Sequence, residues 1–112
     1  MSYPQGTILK LSLDPSMGHE QKGYRPVMVL QRQEVSDIIS VTFVVPITTS
    51  ARRLPFEVPL PDGMQTKGWL LCRQMRALDL SKRPHTVVET VPPETIRQCV
   101  RCVNAMIEAE RK

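Results

Sequence analysis

The sequence predicts a mainly β fold with one helix: a strongly curved antiparallel sheet, or small barrel, covered by a C-terminal helix. Two observations predict it. Short apolar runs with period two or β-branched composition recur from residue 7 to residue 72, separated by proline and glycine breaks. After residue 92 the apolar spacing changes to three and four, the period of a helix. Five or so short strands followed by one amphipathic helix bury their apolar faces best when the helix lies across the sheet.

The elements follow in order. Between Thr7 and Leu13, Leu9, Leu11 and Leu13 alternate with Ile8, Lys10 and Ser12, which reads as a half-buried strand. Asp14-Pro15 ends it. Ser16 to Tyr24 carries two glycines, a histidine and several charges without periodicity, so it reads as an exposed loop. Pro26 opens Val27-Met28-Val29-Leu30, a buried strand. Val41 to Val45 is β-branched and aromatic, a further strand, and Pro46 should end regular pairing there or place it at an edge. Pro55 to Pro61 reads as a short edge strand, Pro61-Asp62-Gly63 as a turn, and Trp69 to Cys72 as another strand. Ser81 to Thr90 shows little pattern. Pro92-Pro93-Glu94 is a helix start, because proline suits the first turn and an acid there faces the positive end of the helix dipole. Ile96, Cys99, Val100, Val103 and Ile107 then form an apolar stripe flanked by Met106, opposite Arg97, Arg101, Asn104 and Glu108, over about five turns.

Composition sets bounds on function. A chain of 112 residues, 41% apolar, fits one domain over residues 1–112 with a normal core. Phe43, Phe56, Tyr3, Tyr24 and Trp69 are its only aromatics, which argues against a nucleic-acid surface of stacked rings. The formal charge of +4 suits a polyanionic ligand, although ordinary solubility is the simpler account of charge alone. No run approaches the ~20 apolar residues of a membrane span, and the N-terminus has no signal-peptide pattern. Cys72, Cys99 and Cys102 cannot all pair within one chain, which suits a reducing compartment. A cytoplasmic protein without a membrane partner is expected. Cys99 and Cys102 have metal-like spacing, but no histidine or fourth thiol is near them in sequence, so they read as buried thiols. No metal and no cofactor is expected.

No phosphate loop, nucleophile elbow or metal-binding helix motif is present. The two histidines, His19 and His85, lie far apart, and a paired-histidine ribonuclease would need both. Four segments carry more information: Leu13-Asp14-Pro15 with Gly18-His19-Glu20-Gln21 and Gly23-Tyr24-Arg25-Pro26-Val27; Val45-Pro46-Ile47-Thr48-Thr49; Pro55-Phe56-Glu57-Val58; and Gln74-Met75-Arg76-Ala77-Leu78-Asp79. In this order and spacing, over roughly residues 5 to 82, they resemble the MazF/PemK toxin family. The resemblance implies a small SH3-like curved sheet with a C-terminal helix. It also implies a metal-independent, sequence-selective endoribonuclease acting on single-stranded mRNA, a homodimer, and a cognate antitoxin that blocks the site.

RNA carries its own nucleophile, the 2′-hydroxyl, so such an enzyme must orient that group, stabilise charge on phosphorus and protonate the leaving oxygen. By resemblance the catalytic positions are Arg25 and Thr48. Arginine offers a rigid, permanently charged fork for phosphate oxygens and gives up its proton reluctantly, so Arg25 reads as an electrostatic stabiliser. His19, Glu20, Gln21, Thr49, Arg73 and Gln74 are supporting or RNA-binding candidates: Glu20 as proton acceptor or anchor, His19 at phosphate, Gln21 and Gln74 at base edges. Arg76 and Asp79 read as structural, as a charge pair at the strand exit. One position departs from the family: many members carry an acid where this chain has Arg73. A basic side chain cannot accept a proton, so the general base is left open, and Arg73 is expected to hold RNA phosphate instead. Two alternatives stand beside the enzyme. One is a gyrase poison of the CcdB type on the same fold, a family with a Trp-Gly-Ile tail where this chain has Glu110-Arg111-Lys112. The other is a weakened homologue that mainly binds antitoxin.

Overall fold

Most of the chain's β-forming segments join one seven-stranded antiparallel sheet. The computed structural model describes residues 2–15, 17, 18, 20, 23–50 and 55–111. The strands are β1 (Thr7–Ser12), β2 (Tyr24–Val29), β3 (Thr42–Thr48), β4 (Glu57–Pro59), β5 (Trp69–Leu71), β6 (Arg76–Leu78) and β7 (His85–Thr90). A single turn, α1 (Gln33–Ser36), joins β2 to β3, and the long helix α2 (Pro93–Ile107) follows β7. The spatial order is β4-β5-β3-β2-β1-β7, with β6 on the first half of β3. The sheet is not closed, so of the two forms expected, the open curved sheet is the one adopted. Its edges β4 and β7 are still tied. Glu89 on β7 accepts the Gln65 amide at 3.2 Å, the Thr66 amide at 2.7 Å and the Thr66 hydroxyl at 2.7 Å, which fastens the β4–β5 connection to the far edge.

Alternation along the strands sorts the core into two layers. Ile8, Met28, Val45, Ile47 and Leu70 face α2 and meet its Cys99 and Val103. Leu9, Leu11, Val27, Val29 and Val44 face the other way and meet Leu78 and Leu80. Ile8 was expected on the open side of a half-buried strand. It is buried instead, because α2 covers that face of β1.

Three further expectations are corrected. Pro46 neither ends pairing nor lies at an edge; it sits inside β3 opposite Val27. The Leu30 amide donates to the Phe43 carbonyl at 3.0 Å, so residues 43, 45 and 47 turn their backbone groups to β2 and Pro46 turns its nitrogen away. On that far side β3 changes partner, from β6 (last pair Val44↔Arg76) to β5 (first pair Ile47↔Leu70). The proline falls in the gap, where no ladder bond is lost. Residues 85–90, which lacked pattern, form β7; it is an edge strand with half-exposed or exposed side chains, so neither face imposes alternation. Ile107 was read as buried, but it ends the 15-residue helix and is 70% exposed, while Thr95 joins Cys99 and Val103 as the buried positions. Among the described residues, no helix is long and apolar enough to cross a membrane.

Candidate active site

Strand register places Arg25 and Thr48 on one face of neighbouring strands. The β2–β3 ladder ends at Val27↔Pro46. Continuing it by two residues sets Arg25 opposite Thr48, and both share the face of Val27, away from α2. The ladder stops for a physical reason. The Leu30 bond shows that even-numbered residues of β2 point their backbone groups at β3, and the next of these after Met28 is Pro26, which has no N–H to donate. β2 and β3 therefore do not pair with each other at Arg25 and Thr48. Arg25 is half-buried and its backbone is held on the other side by pairing with Leu11 of β1.

Thr48 is 5% exposed. Its Oγ1 accepts the Ser50 amide at 3.1 Å, the contact of an ordinary strand-end threonine, and its hydroxyl hydrogen can still be donated to a phosphate oxygen. Its backbone is pressed from the β5 side. Gly68 has φ +126°, and a Cβ there would lie 2.2 Å from the Thr48 carbonyl oxygen. No other residue type fits without moving Thr48. Trp69, paired with Thr48, is half-buried on the same face.

Glu57 lies on this face too, since Glu57↔Leu71 and Pro59↔Trp69 are two steps apart in the β4–β5 register. Its side chain is 1% exposed, and its Oε2 receives Arg73 Nη1 at 2.8 Å. Among the described residues Oε1 has no partner. Arg73 itself belongs to the 3-10 turn Cys72–Gln74 and is 27% exposed at the side chain. A charged carboxylate this buried needs a counter-ion, and Arg73 is that counter-ion. Gln74 is half-buried on the same turn, and Thr49 is exposed just past β3. Glu20 is exposed; its carboxylate accepts the Met17 amide at 2.5 Å and so braces its own loop. His19 and Gln21 lie outside the described residues.

The base of this loop is clamped by arginines. Arg76 donates to the carbonyls of Leu13 at 2.7 Å and Pro15 at 3.4 Å, and Arg83 to those of Ser12 at 2.7 Å and Asp14 at 2.9 Å. Arg76 is structural, as expected, but it does not pair with Asp79. That carboxylate instead accepts the Ser81 hydroxyl at 2.6 Å and amide at 3.1 Å, and these bonds hold it below the usual carboxylate range, the hydroxyl contributing most. His85 is engaged at both nitrogens. The Arg83 carbonyl at 2.7 Å can only accept, so Nδ1 carries the proton, and Nε2 takes the Tyr3 hydroxyl at 2.7 Å. This is a structural histidine, not half of a catalytic pair. Among the described residues no cluster of histidine, cysteine or acid is placed to hold a metal ion.

Three residues at the site were not singled out from sequence: Glu57, Gly68 and Trp69. Glu57 was visible as a lone acid inside a proline-bounded apolar strand, and Trp69 as the sole tryptophan. Nothing in the sequence marks Gly68 beyond its place before a strand.

Among known proteins, the PemK-like, MazF-like toxin of type II toxin-antitoxin system pattern matches residues 4–107. The chain is 38% identical over 96 residues to endoribonuclease PemK of Escherichia coli, spanning 82% of this chain and 71% of that one. It is 31% identical over 102 residues to endoribonuclease toxin MazF of Escherichia coli (strain K12), spanning 91% of each. The crystal structure of MazF from Deinococcus radiodurans matches with a TM-score of 0.89 at 26% identity, covering 97% of this chain and 99% of that one.

Proposed function

Since the chain belongs to the PemK-like, MazF-like toxin family of type II toxin-antitoxin systems, we propose that it is an endoribonuclease that cuts single-stranded mRNA without a metal. The observation that carries this reading is the β2–β3 register, which ends at Val27↔Pro46 beside Pro26 and whose continuation sets Arg25 opposite Thr48. A phosphodiester lying across that opening meets a guanidinium from one strand and a hydroxyl from the other. Arg25 binds the phosphate oxygens and offsets the charge that builds as the 2′-oxygen attacks phosphorus. Thr48 donates its hydroxyl to a phosphate oxygen and fixes the attack geometry. The bond to the 5′-oxygen breaks, leaving a 2′,3′-cyclic phosphate and a 5′-hydroxyl. Glu20 is the acid of the matching loop segment and accepts the 2′-hydroxyl proton, while the departing 5′-oxygen takes a proton from water. Arg73, held by Glu57, directs its remaining N–H groups to RNA, and His19, Gln21, Thr49 and Gln74 contribute contacts around the cut.

The same reading includes a cytoplasmic homodimer and an antitoxin whose acidic segment covers the basic opening. The test is incubation of purified protein with mixed-sequence RNA in excess EDTA. Cleavage with cyclic phosphate ends is expected, and a single 2′-deoxy substitution at the cut site should abolish it. Intact RNA, or cleavage that survives the 2′-deoxy change, would overturn the proposal. Sedimentation at micromolar concentration should give twice the chain mass, and a monomer there would remove the dimer from it.

A further inference from the structure

Cys72 lies far in sequence from Cys99 and Cys102, yet the three cysteines form one contiguous group. Cys72 opens the 3-10 turn that carries Arg73 and Gln74. Cys99 lies on the buried stripe of α2, and its Sγ is 3.4 Å from Cys72 Sγ. Cys102, one helical turn further on, is half-buried and packs against the same cluster that holds Cys72 and Cys99. A groove of about 410 Å³ opens beside it between β4 and α2, with Val58 and Pro59 on one wall and Gln98, Arg101 and Ala105 on the other. Cys102 thus lines the open groove, and the touching pair Cys72 and Cys99 lies buried behind it. They are not placed to hold a metal ion.

We propose that this group is an oxidation site at which a peroxide entering the groove produces a Cys72–Cys99 disulfide. Each step balances. The Cys102 thiolate attacks the peroxide oxygen, becoming a sulfenic acid as hydroxide leaves. Cys72 sulfur displaces water from that sulfenic sulfur, giving a Cys72–Cys102 disulfide. Cys99 thiolate then attacks Cys72 sulfur, and Cys102 leaves as a thiolate. In sum two thiols lose two electrons and two protons, and one hydrogen peroxide becomes two waters. The three-step route matters because Cys72 and Cys99 are both buried, so a peroxide in the groove meets the Cys102 thiol first. Desolvation pushes the Cys102 thiol up, while Arg101 beside it pulls it down. Cys72 is raised far more, by its hydrogen bond with Cys99 and by burial. The reaction is therefore slow at neutral pH and quickens as pH rises, since the thiolate is the reactive form. The product ties the turn bearing Arg73 and Gln74 to α2, closing a loop between positions 27 apart in sequence.

The experiment treats the full-length protein with hydrogen peroxide and maps its peptides by mass spectrometry without reduction. The expected product has lost two hydrogen masses per chain, carries a Cys72–Cys99 linked peptide with Cys102 free, and reverts in dithiothreitol. Its thermal midpoint should rise, because the link restricts the unfolded chain. Cys102→Ser, a change at a half-buried position, should slow the reaction by roughly tenfold or more, as expected when the accessible thiol is lost. Three retained thiols, links only between chains, sulfinic acid on Cys102 without a disulfide, or a Cys102→Ser variant oxidised at the wild-type rate would each overturn the proposal.

Discussion

Arg25 and Arg73 are both proposed to serve the same open face of the sheet, and different parts of the fold fix them. Arg25 is positioned through its backbone: β1 pairs with it, Pro26 ends the ladder beside it, and the side chain is aimed by strand alternation. Arg73 is positioned through its side chain, by a carboxylate buried to 1% exposure. The difference teaches that a cation near a site is not thereby a cation for the substrate. Arg73 is first the counter-ion of Glu57, and whatever it does for RNA it does with the N–H groups left over.

The comparison breaks first at Arg73. Arg73→Ala should cost about 3 kcal/mol of stability, toward the low end of the range for breaking a buried ion pair because Arg73 retains partial exposure. Urea melts measure it, and replacing both partners, Glu57→Leu with Arg73→Met, should recover most of the loss. A single variant as stable as wild type would mean the pair is ornamental. Arg25→Ala should do the reverse: near-native melting, and cleavage reduced ~100-fold or more, the scale for losing one stabiliser of transition-state charge. Single-turnover cleavage within threefold of wild type by a folded variant would remove Arg25 from the chemistry. Smaller, and sharper, is Gly68→Ala. Its Cβ cannot coexist with the Thr48 carbonyl, so Thr48 shifts, and a misplacement on the order of 1 Å should cost about tenfold in rate. Thr48→Ala should match it if the hydroxyl is what the shift misplaces; a Gly68→Ala variant with full activity would separate the two. The smallest effect concerns Glu89. Burial works to raise its pKa, but the Thr66 hydroxyl, the Thr66 and Gln65 amides and the Lys67 charge outweigh it and leave the carboxyl below the usual glutamate range. Its bonds to the β4–β5 connection are at full strength above that ordinary range and fade as pH falls through the lower folded-state value. Glu89→Gln should therefore be less stable at neutral pH and converge on wild type in acid, as thermal melts across pH would read.

Sheet and helix were legible in sequence because each rests on a local pattern. Period two marked β1, a β-branched run marked β3, and three-and-four spacing marked α2. Arg25 and Thr48 stood out through neighbouring motif residues, although only the register sets them opposite one another on adjacent strands. What stayed hidden depends on contacts between distant segments. The place of Pro46 is intelligible only once β6 and β5 are known to leave a gap beside it. β7 had no periodicity because an edge strand has no fully buried face. The pairing of Glu57 with Arg73 joins positions 16 apart that belong to different elements, and no spacing rule connects them. Gly68 is required by another residue's carbonyl, a constraint that its own neighbours in sequence do not express.

The change of partner along β3 has a consequence for how the molecule is made. Its first half can pair with β2 as soon as both have been synthesised, but Thr48 lies beyond that ladder and gains its own pairing only from Trp69, a segment translated later. The helix that covers the opposite layer comes later still. Contacts between distant segments form slowly and a growing chain meets them last. A partly synthesised chain therefore presents Arg25 without a fixed Thr48. For a member of a toxin family, proposed to cut messenger RNA, topology delays the assembly of the site until the chain is nearly whole.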